Sequence, residues 1–220
     1  MNTQGEVVYL VDDEACVRDA ITDLLQTVDV SVVSFESAQA FLEYRRDDAA
    51  GCLLLDLQLP EMNGLELQER LVCTSSLPII FISGRGDIAS SVRAMKRGAL
   101  EFLTKPIDGG ALLESVRTAF HRDRELRLRQ AELTGLRNRL ATLSPREREV
   151  LPLIVAGYLN KQSAAMLGIS EVTLQIHRGQ IMRKMAAIHF ADLVRKCGML
   201  GIPGQRRTDV SGEQHLDRFQ

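Results

Sequence analysis

The chain has 220 residues, a formal net charge of −2 and no apolar run of membrane-spanning length, so neither a single small domain nor a membrane protein is expected. It starts without a basic segment followed by an apolar one, which predicts no secretory leader and a cytoplasmic location. Cys16, Cys52, Cys73 and Cys197 lack metal-ligand or disulfide spacing. Reduced thiols are expected, with redox sensing as the alternative.

Charge is distributed unevenly along the chain. Residues 1–120 contain 10 Lys and Arg against 19 Asp and Glu, a balance of −9, whereas residues 121–220 contain 17 against 10, a balance of +7. This asymmetry predicts two domains with different partners. The basic half is the one that can attract the phosphate backbone of nucleic acid.

The first 120 residues alternate short apolar runs with amphipathic stretches, a pattern typical of βα units packed around a parallel sheet. Strands are predicted near 7–11, 30–34, 52–56, 79–83 and 101–103. Helices are predicted near 14–27, 37–46, 65–73, 87–97 and 109–120.

Charged and polar residues follow these strands at one edge of the predicted sheet. Asp12 and Asp13 follow the first strand, Asp56 ends the third, Ser83 ends the fourth and Lys105 follows the fifth. Ligand chemistry in open α/β sheets takes place at the carboxyl ends of the strands. Taken singly, each residue also fits a helix cap or a turn former. Their convergence from four strands predicts a functional pocket.

The charges of this pocket indicate its chemistry. Three carboxylates brought together repel one another, which raises their proton affinity unless a cation neutralises them. A divalent cation that prefers oxygen ligands fits, and Mg²⁺ is expected. With Lys105, it would neutralise charge on a phosphoryl group that moves to a carboxylate nucleophile. Ser83 could then hydrogen-bond a phosphoryl oxygen.

Apolar residues recur at intervals of seven between residues 112 and 143. One row contains Leu112, Ala119, Leu126, Leu133 and Leu140. A second row contains only Leu136 and Leu143, because Arg122 and Arg129 take its earlier positions. The rows predict a helix that continues beyond the first domain and carries a short coiled-coil seam near its end. A solvated linker helix without a stable partner is the alternative.

Several residues typical of helix starts and ends follow residue 143. Ser144, Pro145 and Glu147 form a capping pattern that begins one helix, and Gly157 ends it. Asn160 begins a short helix that Gly168 ends, and Ser170 begins a third. Two short helices joined by a Gly-containing turn are typical of a helix-turn-helix motif, whose second helix enters the major groove.

The second helix of this motif has two different faces. Leu174, Ile181 and Met185 form an apolar stripe suited to a core. The opposite face carries Val172, Gln175, Ile176, Gly179 and Arg183. Gln175 could pair with an adenine edge, Ile176 could contact a thymine methyl group, and Gly179 permits close approach. Arg183, Lys161 and Lys184 would contact phosphates. A solvated polar face is the alternative.

The first 120 residues resemble the receiver domain of two-component response regulators. The resemblance rests on Asp12-Asp13, Asp56, the Pro60-x-Met62-x-Gly64 turn, Ser83 and Lys105-Pro106, all in order. It implies that Asp56 is phosphorylated and that Lys105 and Ser83 assist catalysis of that step. Mg²⁺ would be held by Asp13, Asp56 and the backbone carbonyl of Gln58, with Asp12 acting partly through water.

The same resemblance implies further roles. Ser83 and Phe102 would form a switch pair, although Phe102 also fits an ordinary core aromatic residue. The peptide bond before Pro106 would be cis, which is plausible because cis bonds are essentially confined to X-Pro. Gln58 and Arg85 would tune the lifetime of the phosphoryl group.

The strings at residues 143–150, 160–165 and 171–177 resemble the LuxR-type four-helix DNA-binding domain. The implied DNA contacts are Lys161, Thr173, Gln175, Ile176, Arg178, Gly179, Arg183 and Lys184. Many relatives have Lys where this chain has Gln175, which puts the usual operator preference in question. The last helix, from Phe190, is similar to the family's dimerisation helix, although Leu193 and Val194 also fit an intradomain core. His177 is interpreted as a partly packed residue and not as a metal ligand.

Together these features predict a fold in four parts. An α/β, doubly wound, parallel five-stranded receiver domain of flavodoxin-like type is expected at residues 1–120, followed by a helical linker at 121–142. An all-α four-helix helix-turn-helix domain is expected at 143–202. Residues 203–220 are predicted to be a disordered tail.

The predicted function is that of a transcription factor and not of an enzyme. Phosphorylation of Asp56 by a cognate sensor histidine kinase would control homodimerisation and sequence-specific binding to double-stranded DNA, with RNA polymerase as a further candidate partner. One alternative is a Mg²⁺-dependent phosphohydrolase, whose usual two-residue spacing of acidic groups Asp12-Asp13 lacks. The other is a constitutive DNA-binding protein whose receiver serves only as a dimerisation scaffold.

Overall fold

The computed structural model describes residues 5–45, 49–72, 76–84 and 88–203. The chain divides into two compact units, Met1–Arg129 and Gln130–Gln220. Among the helices of these described ranges, none has the length and apolar character needed to cross a membrane. Cys73, Arg85 and the predicted tail from residue 204 onward lie outside the described residues.

The described part of the first unit contains a sheet of five parallel strands in the order β2-β1-β3-β4-β5. The strands are β1 (Glu6–Val11), β2 (Ser31–Phe35), β3 (Ala50–Asp56), β4 (Ile79–Ser83) and β5 (Glu101–Thr104). The helices are α1 (Ala15–Gln26), α2 (Ala38–Glu43), α3 (Gly64–Val72), α4 (Ile88–Lys96) and the first part of α5 (Gly109–Ala141). This strand order is that of the flavodoxin-like doubly wound fold, which confirms the predicted fold class.

Apolar clusters cover both faces of the sheet. Tyr9 and Val11 pack into one cluster, whereas Val8 and Leu10 pack into the other, because successive residues of a strand point to opposite faces. Since both faces are covered, the interior strands are apolar throughout. Burying such side chains stabilises the fold by roughly 1.5–3 kcal/mol each.

The register of the strands aligns their carboxyl ends. Val11 of β1 lies opposite Leu55 of β3, and Asp56 lies opposite Ile82 of β4. Ser83 in turn lies opposite Thr104 of β5. The residues at and just after these strand ends therefore share one edge of the sheet.

Two of the cysteines have side chains whose burial raises the thiol pKa. Burial raises the pKa of Cys52, and the carboxylates of Asp123 and Glu6 raise it further. Burial also raises the pKa of Cys197. Cys16, Cys52 and Cys197 are free thiols in the structure, so two of these three are held protonated and poorly reactive.

The second unit contains the end of α5 and four further helices within the described residues. They are α6 (Pro145–Val155), α7 (Asn160–Leu167), α8 (Glu171–Lys184) and α9 (Phe190–Met199). The predicted cap of α6 is present: the Ser144 hydroxyl accepts the Glu147 N–H at 3.3 Å, and the Glu147 carboxylate accepts the Ser144 N–H at 2.7 Å. Gly168 ends α7 with a φ of 65°, a conformation that favours glycine.

The core of this unit contains the predicted apolar stripe. Leu174, Ile181 and Met185 are fully buried and pack with α6 and α9. Leu143 is buried in the same core and follows the end of α5, so it is not available to a coiled-coil seam. The second heptad row therefore cannot contribute Leu143 to a coiled coil, because that side chain packs in the core of the helical unit.

Candidate functional site

Three carboxylates meet at the carboxyl edge of the sheet. Asp12 and Asp56 are buried, with 0% and 3% of their surface exposed, whereas Asp13 is exposed. Each offers one carboxylate oxygen, and these oxygens lie within 4.8 Å of one another. The structure thus brings together the three acidic residues that the sequence singled out.

Lys105, which follows β5, contacts two of these carboxylates, those of Asp12 and Asp56. Its Nζ lies 2.9 Å from Asp12 Oδ2 and 3.2 Å from Asp56 Oδ2, and it donates to Glu14 Oε1 at 2.8 Å. Burial alone lowers the pKa of Lys105, but the carboxylates of Glu14, Asp12 and Asp56 raise it above its ordinary value. The peptide bond between Lys105 and Pro106 is cis, as the resemblance implied.

Glu14 was not singled out from the sequence. It lies two residues after Asp12 at the same strand end, and its backbone N–H donates to Asp12 Oδ1 at 2.9 Å. That position is the signal that could have revealed it.

The electrostatics of Asp56 favour an additional cation. Burial raises the pKa of Asp56 above its ordinary value, and nearby Asp12 adds to this, while the Gln58 N–H and Lys105 partly offset it. Gln58 N donates to Asp56 Oδ1 at 3.1 Å. Since the three clustered carboxylates outnumber the single ammonium group of Lys105, the pocket has the charge and oxygen ligands that suit a divalent cation.

Hydrogen bonds and close backbone packing fix the loops that carry the acidic residues. Arg18 donates to the backbone carbonyls of Asp12 and Asp13 at 2.7 and 3.0 Å. Gly64 N donates to the Leu57 carbonyl at 3.0 Å. A Cβ at Gly64 would lie only 2.4 Å from the backbone oxygen of Asp56, so this close approach requires glycine.

The proposed switch residues lie on adjacent strands. Ser83 is fully buried at the end of β4. Phe102 is half-buried on β5, and its ring stacks on Phe81 with centroids 6.3 Å apart. Phe102 also packs against the core, so this geometry fits both the switch and the core interpretation.

A separate surface is formed by the exposed side of α8, which we call the reading face and define as Val172, Gln175, Ile176, Gly179 and Arg183. All five residues are exposed; Val172 and Ile176 retain 68% and 58% of their surface. A Cβ at Gly179 would have no neighbour within 4 Å. The structure thus leaves this face open, as a surface that enters a groove must be.

Three other predicted DNA contacts are engaged within the helical unit. Lys184 Nζ lies 2.7 Å from Glu147 Oε2 and donates to the Thr142 carbonyl at 3.1 Å. Arg178 donates to Asn160 Oδ1 at 3.2 Å, with its guanidinium 4.7 Å from the centroid of the Phe190 ring. The half-buried Thr173 belongs to the Ser170 cap of α8. Lys161 on α7 is exposed.

Two residues of α9, which the sequence assigned either to a dimerisation helix or to the core of the helical unit, differ in burial. Leu193 is fully buried in the core of the helical unit, whereas Val194 is 37% exposed. His177 is half-buried, which agrees with a partly packed helix residue.

Comparison with known families gives two matches along the chain. A model described as the response regulator receiver domain matches residues 8–117. One described as bacterial regulatory proteins of the luxR family matches residues 141–197. Together they cover more than half of the chain.

Individual relatives match both units. Nodulation protein W of Bradyrhizobium diazoefficiens is 44% identical over 197 residues, which cover 89% of this chain and 87% of that protein. The response regulator protein TodT of Pseudomonas putida is 42% identical, with 89% and 86% covered.

Solved structures show the same similarity. The response regulator StyR is 40% identical with a TM-score of 0.78, and the match covers 88% of this chain and 98% of that one. Full-length FixJ from B. japonicum is 35% identical with a TM-score of 0.55, covering 91% and 98%. These matches support the regulator interpretation over that of a phosphohydrolase. The chain belongs to the response regulators that join a receiver domain to a luxR-family DNA-binding domain.

Proposed function

We propose that a sensor histidine kinase phosphorylates Asp56 and that this modification controls homodimerisation and sequence-specific binding to double-stranded DNA. The observation that carries the proposal is the position of Asp56, with Lys105 Nζ 3.2 Å away and two further carboxylates within 4.8 Å. A carboxylate nucleophile beside a fixed cation suits phosphoryl transfer, which depends mainly on positioning and charge neutralisation.

Mg²⁺ is the proposed cofactor of this step. Asp13, Asp56 and the backbone carbonyl of Gln58 would hold it, with Asp12 acting partly through water. The bound ion would neutralise the transferring phosphoryl group and favour the ionised form of Asp56, which burial disfavours. Lys105 would stabilise charge on the phosphoryl oxygens.

Ser83 and Phe102 are the proposed link from the phosphoryl group to the surface. Ser83 is buried beside the pocket, and Phe102 is half-buried on the next strand. Movement of the Ser83 hydroxyl toward a phosphoryl oxygen would allow the ring of Phe102 to turn inward. Such a change would shift a population between two states of the receiver.

An exposed apolar face on α4 supports the proposed dimerisation. Ile88, Val92 and Met95 retain 79%, 45% and 44% of their surface. Their spacing of four and three residues places them on one side of the helix. A second copy of the receiver would remove this apolar surface from water, which favours association.

The reading face is proposed to recognise DNA. Gln175 and Ile176 would contact base edges, Gly179 would permit close approach, and Arg183 and Lys161 would contact phosphates. We leave Lys184, Arg178 and Thr173 out of the primary contact set, because their polar side-chain groups already bind partners within the unit. RNA polymerase is a further proposed partner, and the cytoplasm, where a bacterial chromosome lies, is the proposed location.

Gel-shift and sedimentation measurements with acetyl phosphate and Mg²⁺ test the coupling. Genomic footprinting with and without the phosphodonor would supply the DNA sites. Phosphodonor is expected to increase dimerisation and DNA affinity for the wild type and for Asp23→Asn, which changes an exposed carboxylate on α1. Asp56→Asn should not respond. Equal affinity of all three proteins with and without phosphodonor would instead support a constitutive DNA-binding protein.

A further inference from the structure

Three carboxylate oxygens surround the ammonium group of Lys105. Its Nζ lies 2.8 Å from Glu14 Oε1, 2.9 Å from Asp12 Oδ2 and 3.2 Å from Asp56 Oδ2. A lysine ammonium group has three N–H donors. The number of neighbouring carboxylates thus equals the number of donors, so a phosphoryl oxygen that binds Nζ must displace one of these carboxylates.

Glu14 is the acceptor whose release costs least. The side chains of Asp12 and Asp56 are 0% and 5% exposed, whereas the side chain of Glu14 is 54% exposed. A carboxylate that loses its partner in a buried site stays unpaired, which is costly, but one that is released at the surface is hydrated by water. The shortest of the three contacts of Lys105 is therefore also the easiest to replace.

The backbone keeps the carboxylate of Glu14 close to the pocket. Glu14 N donates to Asp12 Oδ1 at 2.9 Å, and Arg18 fixes the preceding turn through the carbonyls of Asp12 and Asp13. A phosphoryl oxygen bound to Lys105 Nζ would lie within about 6 Å of the present position of Glu14 Oε1, because each is one hydrogen-bond length from the same nitrogen. Two negative groups at this separation repel each other.

We infer that Glu14 slows phosphoryl uptake, because it competes with the incoming phosphoryl group for Lys105. The inference rests on the proposed phosphorylation of Asp56 and adds a regulatory residue to the same site. With acetyl phosphate as donor, an oxygen of Asp56 forms the new bond to phosphorus. The bond from phosphorus to the acetyl oxygen breaks, and acetate leaves with the bonding electrons, so no proton is transferred. During this step Lys105 exchanges Glu14 for a phosphoryl oxygen.

The rate at which acetyl phosphate phosphorylates the full chain tests this competition. Intact mass spectrometry measures the rate at a Mg²⁺ concentration that saturates each protein. Glu14→Gln removes the charge and Glu14→Ala removes the acceptor as well, so both should react about threefold faster than the wild type or more. Glu36→Gln makes the same charge change at an exposed position directly after β2, at the same edge of the sheet, and should react like the wild type.

A second measurement does not depend on phosphorylation. In NMR spectra of the unphosphorylated chain, the ammonium resonance of Lys105 should shift in Glu14→Gln and in Glu14→Ala, because Nζ loses its shortest carboxylate contact. Glu36→Gln should leave this resonance in place. Since the side chain of Glu14 is largely exposed, urea unfolding of both Glu14 variants should resemble that of the wild type.

Three results would overturn the inference while the proposed function stands. These are a phosphorylated wild type with neither Glu14 variant faster, an equal acceleration by Glu36→Gln, and a Lys105 resonance that is unchanged in both Glu14 variants. The last result would mean that Glu14 does not hold the ammonium group. A wild type that gains no phosphoryl group would instead overturn the proposed function, and this inference with it.

Discussion

The carboxylate of Asp123 accepts the backbone N–H of Gly51 at 3.0 Å, which joins α5 to the start of β3. Asp123 is only 1% exposed, and Arg127 Nε donates to the same oxygen at 2.6 Å. Arg124 forms an ion pair with the largely buried Glu6 of β1 nearby. These contacts explain why the first compact unit extends to Arg129.

Replacing Asp123 with Ala should destabilise the receiver unit. The change leaves the buried N–H of Gly51 without its acceptor, at a cost of about 1–3 kcal/mol. Hydrogen exchange of the Gly51 amide should accelerate, and urea unfolding should report the lost stability. Glu125→Ala, an exposed change two residues further along α5, is the matched control. Equal exchange of Gly51 in both variants would show that the hydrogen bond is unimportant.

The Glu147–Lys184 pair predicts a pH dependence of the helical unit. Burial alone would raise the pKa of Glu147, but the hydrogen bonds from Lys184 and Ser144 lower it below its ordinary value. A folded-state pKa below the unfolded one stabilises the fold above the ordinary carboxyl pKa, and that contribution disappears as pH falls through the lowered value.

Glu147→Gln should therefore cost about 1–3 kcal/mol at neutral pH, and the difference from wild type should shrink on acidification. Urea unfolding across this pH range is the measurement. Glu149→Gln, on the exposed side of α6, should change stability little because surface ion pairs contribute little. A wild-type advantage over Glu147→Gln that grows in acid would refute the assigned direction of the pKa shift.

Gly64 should tolerate no side chain. The added methyl group of Gly64→Ala would collide with the backbone of Asp56 at 2.4 Å and with the Phe81 ring at 2.9 Å. We expect a loss of about 1–3 kcal/mol in stability and slower phosphorylation, because the Asp56 loop must shift. Gly84→Ala, where the nearest atom lies at 4.0 Å, should retain both properties. Normal phosphorylation and unfolding of Gly64→Ala would contradict the close packing of this loop.

Replacing Gly179 with Ala should change stability and DNA affinity in opposite directions. Alanine at an open helix-interior position stabilises by about 0.5–1 kcal/mol relative to glycine, so Gly179→Ala should unfold at higher temperature. If the reading face enters the groove closely, the same change should lower affinity for a specific site by about tenfold. Gly135→Ala on α5, also in open space, should stabilise without affecting DNA binding. Unaltered DNA affinity of Gly179→Ala would exclude a close approach there.

The sequence predicted those features that depend on local patterns. Acidic residues at strand ends converge because parallel strands end at one edge, and the Ser144 cap depends on residues three apart. Contacts between distant residues gave no local signal. Asp123 stands in a run of charged residues, yet its partner Gly51 lies 72 residues away. The sequence likewise gave no sign that Lys184 pairs with Glu147, 37 residues away.

Intact mass spectrometry after incubation with acetyl phosphate and Mg²⁺ tests the central claim most directly. The wild type and Asp23→Asn should each gain one phosphoryl group, and a chelator should abolish the gain in both. Asp56→Asn should gain none. A phosphoryl group on Asp56→Asn, or none on the wild type with Mg²⁺ present, would contradict the assignment of Asp56 as the phosphate acceptor.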